Sequence, residues 1–111
     1  MKGIIWKAKE DSDAAENLFD HLISNYRFKG HSVEVLKGKH ITKFTADNGD
    51  CWEVISARES FRGKKCNISY IERGIPRETI RNIILPCTVA YPFRATTYFG
   101  EYGIEGDEDI E

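Results

Sequence analysis

The sequence predicts a small single-domain α/β sandwich in which two helices pack on a mixed sheet that contains a hairpin. The length of 111 residues suits one domain with one hydrophobic core. Two segments repeat apolar residues at helical spacing, and the segments between them have the apolar patterns of strands. Because each helix is apolar on one side only, a sheet must cover that side. We expect one α/β domain over residues 1–100 and an acidic C-terminal tail over residues 101–111.

The N-terminal part predicts a strand followed by a helix. Residues 4–8 form a short run with strand composition, and an acidic cluster follows it. Asp13 and Glu16 have the spacing of a capping box, which predicts Asp13 as the residue that caps the helix. Lys29 followed by Gly30 is typical of a helix end. The apolar stripe that faces the core consists of Leu18, Phe19, Leu22, Ile23 and Tyr26.

The middle of the chain predicts strands and a hairpin. Val33 and Val35 alternate with polar residues, which indicates a strand. Residues 41–46 and 51–56 are two further strand-like runs, and the turn-forming residues 47–50, with Asn-Gly at their centre, separate them. We therefore expect these two runs to pair as an antiparallel hairpin.

A second strand and helix follow a charged loop over residues 57–65. Residues 66–71 predict the strand. Pro76 suits the first turn of the helix, and Pro86 is expected to end it. Residues 88–99, interrupted by a proline, predict one edge strand. The buried stripe of the second helix consists of Ile80, Ile83 and Ile84.

Charge is unevenly distributed along the chain, whose formal net charge is −2. Residues 101–111 hold six acidic residues and no basic one, so they carry −6 and the preceding hundred residues carry +4. Such a tail is a solvating terminus, a partner-binding segment or a competitor for a basic nucleic-acid-binding surface, and the sequence leaves these alternatives open.

The N-terminus and the cysteines indicate a cytoplasmic protein. The apolar run at residues 4–6 is too short for a signal peptide or a membrane span. The three cysteines are odd in number and lack a Cys-x-x-Cys pair, which argues against a disulfide framework and a zinc site. We expect Cys51, Cys66 and Cys87 to be reduced core thiols.

Short motifs over residues 44–85 occur in a recognisable order. They are Asn48-Gly49 after a strand, Arg62-Gly63-Lys64-Lys65-Cys66-Asn67 before an apolar strand, Ile68-Ser69-Tyr70-Ile71-Glu72 as that strand, and Ile83-Ile84-Leu85-Pro86 beyond it. In this order and spacing the segment resembles the central part of the large terminase subunit, the DNA-packaging ATPase of tailed phages, and more loosely related helicase-type motors. The resemblance implies a viral, phage-type protein with an ATPase-like core.

The same resemblance identifies a degenerate catalytic position. In such a motor the Walker B strand ends in a carboxylate that binds magnesium, and a second carboxylate orients the attacking water. Here Glu72 has the first position and Arg73 the second, and an arginine cannot act as a base at physiological pH. No Gly-x-x-x-x-Gly-Lys-Ser/Thr motif occurs in the sequence, so the phosphate-binding loop is missing. We expect no catalytic residue, no cofactor and no ATP hydrolysis; alternatively, Glu72 is only a polar residue that ends a buried strand.

Basic residues provide a second candidate site. Arg58, Arg62, Lys64 and Lys65 lie in one loop, where they are candidates for binding the phosphates of a nucleic acid. The alternative is a solvated sheet face with core aromatic residues. The wider set of interleaved cations and candidate stacking aromatics adds Lys37, Lys39, Lys43, Phe44, Trp52 and Phe61.

A metal site is not expected. His21, His31 and His40 lie in different predicted elements, and none has a carboxylate or cysteine at ligand spacing.

These features favour a non-catalytic protein of phage or prophage type that binds a protein or nucleic-acid partner, DNA included, in the host cytoplasm. Two alternatives stay open. The chain is a nucleotide-binding subunit completed by another chain, or it is a small inhibitor whose acidic tail mimics nucleic acid. The sequence leaves the partner and the oligomeric state undetermined.

Overall fold

The computed structural model of the chain describes residues 1–39, 41–57, 64–89 and 93–106. These ranges form one sheet of seven strands, a long helix α1 (Asp13–Phe28) and a second helix, residues 77–87. The α/β fold with a mixed sheet, a hairpin and two helices is therefore confirmed. The strands are β1 (Lys2–Lys7), β2 (Val33–Lys37), β3 (Thr42–Ala46), β4 (Cys51–Ser56), β5 (Ile68–Glu72), β6 (Ala95–Gly100) and β7 (Gly103–Gly106).

The sheet is parallel in the middle and antiparallel at both ends. Its strand order is β2-β3-β4-β1-β5-β6-β7. Strands β4, β1, β5 and β6 run parallel, whereas β2-β3, β3-β4 and β6-β7 are antiparallel pairs. The predicted hairpin is β3-β4, and Gly49 in its turn has a φ of 92°, a conformation that favours glycine.

The two helices cover opposite faces of the sheet. Successive residues of a strand point to opposite faces, and β1 shows this directly. Ile4 and Trp6 pack in a cluster with Ile84 of the second helix, whereas Ile5 packs in a separate cluster with Phe19 of α1. The fold is therefore a three-layer sandwich whose central strand is buried on both sides.

Helix α1 begins one residue earlier than the capping-box pattern predicted. The residue that caps it is Ser12, whose hydroxyl oxygen accepts a hydrogen bond from the backbone N–H of Ala15 at 3.0 Å. Asp13 is instead the first helical residue, where its negative charge interacts favourably with the helix dipole and stabilises the helix. Four of the five predicted stripe residues are buried, and Tyr26 is half-buried.

The second helix continues past Pro86, which was predicted to end it. Residues 77–79 and 85–87 have α-helical winding, and the five residues between them, Ile80–Ile84, form a π-helix. Proline has no N–H, and in α-helical winding its ring clashes with the carbonyl four residues earlier. The wider π winding just before Pro86 is a local change that accommodates it. The predicted stripe of Ile80, Ile83 and Ile84 is buried.

The C-terminal hairpin differs from the predicted single edge strand. Strand β6 lies between β5 and β7, so β7 is the edge. Residues 101–106 of the acidic segment are the turn and second strand of this hairpin, and residues 107–111 lie outside the described residues. In the described ranges, no helix combines the length and hydropathy of a membrane span.

Candidate functional site

Glu72, which the sequence predicts to have a degenerate catalytic position, lies at the C-terminal end of β5. Strand β1 runs parallel beside it, with Trp6 in register with Ile71, so the loop that leaves β1 passes next to Glu72. The backbone N–H of Ala8 donates to Glu72 Oε1 at 2.6 Å, and the Ser12 hydroxyl donates to Glu72 Oε2 at 2.7 Å. The Glu72 side chain is buried, and both of its carboxylate oxygens accept hydrogen bonds from the chain itself.

This position is where open α/β sheets bind ligands. Ligands occupy the crevice at the carboxyl ends of neighbouring strands whose outgoing connections go to opposite faces. Here β1 leads to α1 on one face and β5 leads to the second helix on the other. The contacts of Glu72 with Ala8 and Ser12 span this crevice. At this edge of the sheet the chain's own Ala8 and Ser12 therefore occupy both carboxylate oxygens of Glu72.

Arg73, at the second position, is also engaged by the chain itself. Its Nε donates to Glu105 Oε1 of β7 at 2.6 Å, and its guanidinium lies 3.9 Å from the ring centre of Tyr98. Glu105 brings a second carboxylate close to the end of β5, but the cation of Arg73 is paired with it. This pair lies at the exposed surface, where it orients side chains more than it stabilises the fold.

Neither Ser12 nor Glu105 was identified from the sequence as a partner of this site. Ser12 is separated from Glu72 by 60 positions and Glu105 from Arg73 by 32. The only local signal was the preference for serine at a helix N-cap, which identifies a cap and not a contact with a distant strand.

A cavity of about 400 Å³ lies beside the loop that joins β1 to α1. Its lining is polar and carries both signs of charge: Lys7 and Lys37 face it together with Glu10, Asp11 and Glu16. Lys37 is itself paired with Glu16 at 3.6 Å and with Asp20 at 3.3 Å. A lining of this kind has no uniform field that would concentrate a phosphate.

The basic loop is only partly within the described residues. Arg58 and Arg62 lie outside them. Lys64 Nζ lies 2.8 Å from Glu53 Oε1 of β4, and Lys65 is exposed. The binding role of Arg58, Arg62, Lys64 and Lys65 therefore stays a prediction.

The aromatic residues proposed as stacking platforms are core residues where the structure describes them. Phe44 is fully buried against Phe19, with ring centres 5.3 Å apart. Trp52 is buried and stacks on Tyr70, also with ring centres 5.3 Å apart. The stacking interpretation is wrong for these two residues, because rings buried between sheet and helix cannot meet a base. Phe61 lies outside the described residues.

The histidines and cysteines form no metal site in the described part of the chain. His31 Nδ1 lies 2.7 Å from Asp47 Oδ1, and His21 is exposed on α1. The N–H of Ser32 and then the His31 ring lower the pKa of the Asp47 carboxyl. His40 lies outside the described residues.

Two of the three free thiols lie in the core. Cys66 and Cys87 are buried, and Cys51 is half-buried. Burial raises the pKa of the Cys66 thiol, although contacts with Ser69 and Thr88 oppose this. A buried thiol with a raised pKa is a poor nucleophile.

Comparison with known proteins supports the fold. No protein-family model matches the sequence, and no curated protein matches it. Among solved structures, two crystal forms of the large terminase of a thermophilic bacteriophage are similar, one of them in complex with ADP. Their TM-scores are 0.59 and 0.58, with 12% sequence identity in each case.

Each comparison covers 89% of this chain, whereas this chain spans 25% of the terminase chain. At this identity the likeness concerns the fold alone. The resemblance to large terminase that the sequence motifs predicted is therefore confirmed at the level of the fold, and the chain has a terminase-like fold.

Proposed function

We propose that the chain is a non-catalytic protein of phage or prophage type that uses a terminase-like fold to bind another macromolecule. One observation carries this proposal: Glu72 has both carboxylate oxygens engaged by the loop between β1 and α1. A magnesium-binding carboxylate must keep an oxygen available for the ion. Glu72 instead fastens that loop to the sheet.

The surrounding residues support the same conclusion. Hydrolysis of a nucleotide needs positioned charge around the transferred phosphate, supplied by a backbone cradle, a lysine and metal ions. The sequence lacks the phosphate-binding loop, and Glu105, a carboxylate beside the predicted second position, is paired with Arg73. One of the similar terminase structures holds ADP. We do not extend that ligand to this chain, because the crevice beside Glu72 is bridged by Ala8 and Ser12.

A protein is the favoured partner. Three of the described cations, Lys37, Lys64 and Arg73, are paired with carboxylates of the chain itself, which makes these three less available to a nucleic acid. The exposed large apolar side chains, in contrast, include Val35 and Leu36 on an edge strand. An edge strand with exposed apolar side chains can pair with a strand of another chain.

Calorimetry tests the proposal against the alternative of a subunit completed by another chain. We would titrate ATP and ADP into the protein with magnesium and again with a chelator. We expect no magnesium-dependent binding by the parent chain. Micromolar binding that depends on magnesium and is lost in Glu72→Ala would contradict the role assigned to Glu72 and favour the alternative.

A nucleic-acid partner is the second candidate, and the basic loop is the feature that favours it. Fluorescence anisotropy with single- and double-stranded DNA at two salt concentrations tests it. Salt-sensitive binding that is lost on joint replacement of Arg58, Arg62, Lys64 and Lys65 by alanine would support this candidate. A variant that lacks residues 107–111 should then bind more tightly, because the deletion removes negative charge and keeps β7. Absence of binding by both the parent and this variant would reject it.

A further inference from the structure

The two edges of the sheet are built differently. At one edge, β7 has four residues, two of them glycine, and its pairing with β6 is interrupted by a register shift at Tyr98 and Phe99. Short strands and bulges are devices that keep an edge from pairing with another chain. At the other edge, β2 has five residues without glycine or proline, and all five pair with β3 in one unbroken register. Strand β2 therefore has no bulge of this kind.

The hydrogen-bonding groups of β2 alternate between β3 and the free edge. Gly38 N–H donates to Ile41 O at 2.7 Å, and Asp47 N–H donates to Ser32 O at 2.9 Å. These two bonds fix the phase of the ladder, because bonded and non-bonded pairs alternate along antiparallel strands. The backbone groups of Val33, Val35 and Lys37 consequently point away from β3. No other described strand lies beyond β2.

The side chains of β2 add apolar surface on both faces of this edge. Val35 is 41% exposed on the α1 face, and Leu36 is 49% exposed on the opposite face. In the sequence a charged residue flanks these two residues at each end, Glu34 before them and Lys37 after them. The edge thus offers a backbone ladder with an apolar centre between opposite charges.

We propose that β2 pairs with β2 of a second copy of this chain, antiparallel and about a two-fold axis at Val35. In this register Val35 lies opposite its own symmetry mate and Val33 lies opposite Lys37, so all three outward-facing residues meet outward-facing residues. The two seven-stranded sheets then form one continuous sheet. The contact is isologous, since the same strand contributes both halves.

The charge pattern selects this register over its neighbours. A two-fold axis at Glu34 would place two glutamates directly opposite each other, and an axis at Lys37 would place two lysines opposite each other, which destabilises a strand pair. An axis at Leu36 would pair Val33 with Lys39, which lies beyond the end of β2. Only the axis at Val35 uses the complete ladder without facing like charges.

Analytical ultracentrifugation of the full chain over a wide concentration range tests the proposal. A contact of one short strand is smaller than the interface of a tight dimer, so the dimer should dissociate on dilution. We expect the mass to rise from the monomer value of 12.7 kDa toward twice that value. Val35→Lys places two cations opposite each other and should remove the rise, whereas Val35→Thr should keep it. Circular dichroism checks that both variants are folded.

Cysteine substitution tests the register independently. In a bonded antiparallel pair the Cα atoms lie about 5.5 Å apart, within the range of a disulfide. Oxidised Val35→Cys should therefore give a covalent dimer that is absent from the oxidised parent. Leu36→Cys is the matched control, because in this register residue 36 lies opposite residue 34 and not opposite itself.

A monomer at every concentration, a dimer that Val35→Lys does not weaken, or equal cross-linking at both positions would overturn the proposal. A monomeric parent would instead favour pairing of this edge with an extended segment of another protein.

Discussion

Ser12 and Glu72 are joined by a hydrogen bond of 2.7 Å that connects the start of α1 to the end of β5. The same Ser12 hydroxyl accepts from Ala15 N–H, so one oxygen caps the helix and also donates to the buried carboxylate. Glu72 in turn accepts from Ala8 N–H. Glu72 thus connects the β1–α1 loop to the sheet.

Replacing Glu72 by alanine should destabilise the fold. The change removes two hydrogen bonds to the Glu72 carboxylate. The N–H of Ala8 and the hydroxyl of Ser12 then lose this acceptor. Hydrogen bonds to charged groups contribute about 1.5–3 kcal/mol, so we expect a loss of that order in the free energy of unfolding. Urea denaturation followed by circular dichroism measures it.

Two controls accompany that measurement. Glu72→Gln keeps one oxygen acceptor of similar shape and should lose less stability than Glu72→Ala. Glu101→Ala changes an exposed acidic residue in the β6–β7 turn and should stay within about 0.5 kcal/mol of the parent. If Glu72→Ala were no more destabilising than Glu101→Ala, Glu72 would not fasten the loop.

Ile83→Ala should destabilise the second helix against the sheet. Ile83 is buried with Ile80 and Ile84 in the cluster on that face. Truncating a buried isoleucine costs about 2–5 kcal/mol, because it leaves a cavity as well as removing apolar contact. The matched control is Arg81→Ala, an exposed position of the same helix. Equal denaturation midpoints for the two variants would contradict the packing of this helix.

Tyr26→Phe should change the response of stability to alkaline pH. Burial, opposed by the hydrogen bond from Trp52 and assisted by Asp50, raises the pKa of Tyr26 from 10.0 to about 12. The folded state therefore favours the neutral phenol. This contribution to stability is complete below pH 10 and is lost as the pH rises toward about 12.

At neutral pH the same variant loses two hydrogen bonds, from the Tyr26 hydroxyl to Asp50 at 2.7 Å and from Trp52 Nε1 to Tyr26 at 3.2 Å. We expect a loss of about 1–3 kcal/mol there. Denaturation curves of the parent and the variant at neutral pH and above pH 10 provide the comparison. The difference between the two proteins should shrink as the pH rises, and a constant difference would contradict the raised pKa.

Placing a carboxylate at position 73, the predicted second catalytic position, should not create an ATPase. Arg73→Glu supplies the residue type that orients water in a motor, but it leaves the chain without a phosphate-binding loop and leaves Glu72 bound to Ala8 and Ser12. We expect phosphate release at background level in the presence of magnesium. The substitution also places a second carboxylate beside that of Glu105 and should lose up to about 1 kcal/mol of stability. Turnover by this variant would show that the crevice accepts a nucleotide after all.

Local patterns in the sequence predicted the parts of the fold that depend on neighbouring residues. The stripe from Leu18 to Ile23 predicted α1 because its helical spacing makes one apolar face, and Asn48-Gly49 predicted the β3–β4 turn because glycine adopts positive φ there. The prediction that the second helix ends at Pro86 was wrong. A proline destabilises α-helical winding, but residues Ile80–Ile84 adopt the wider π winding that accommodates it.

The contacts that define the candidate site could not be predicted from local patterns in the sequence. The pairs Ser12–Glu72 and Arg73–Glu105 form only because β1 lies beside β5 and β7 lies beside β6, and that order is set by packing of the whole sheet. The aromatic pattern failed for a related reason. Phe44 and Trp52 point toward α1, and alternation along a strand does not reveal which face a helix covers.

We propose that Glu72 is structural and that the chain does not hydrolyse ATP. Steady-state phosphate release by the full chain with ATP and magnesium, measured beside Glu72→Ala, tests this claim most directly. We expect the same background rate for both proteins, although Glu72→Ala is less stable. Release above background by the parent would contradict it, and loss of that release in a Glu72→Ala variant that circular dichroism shows to be folded would assign the reaction to Glu72.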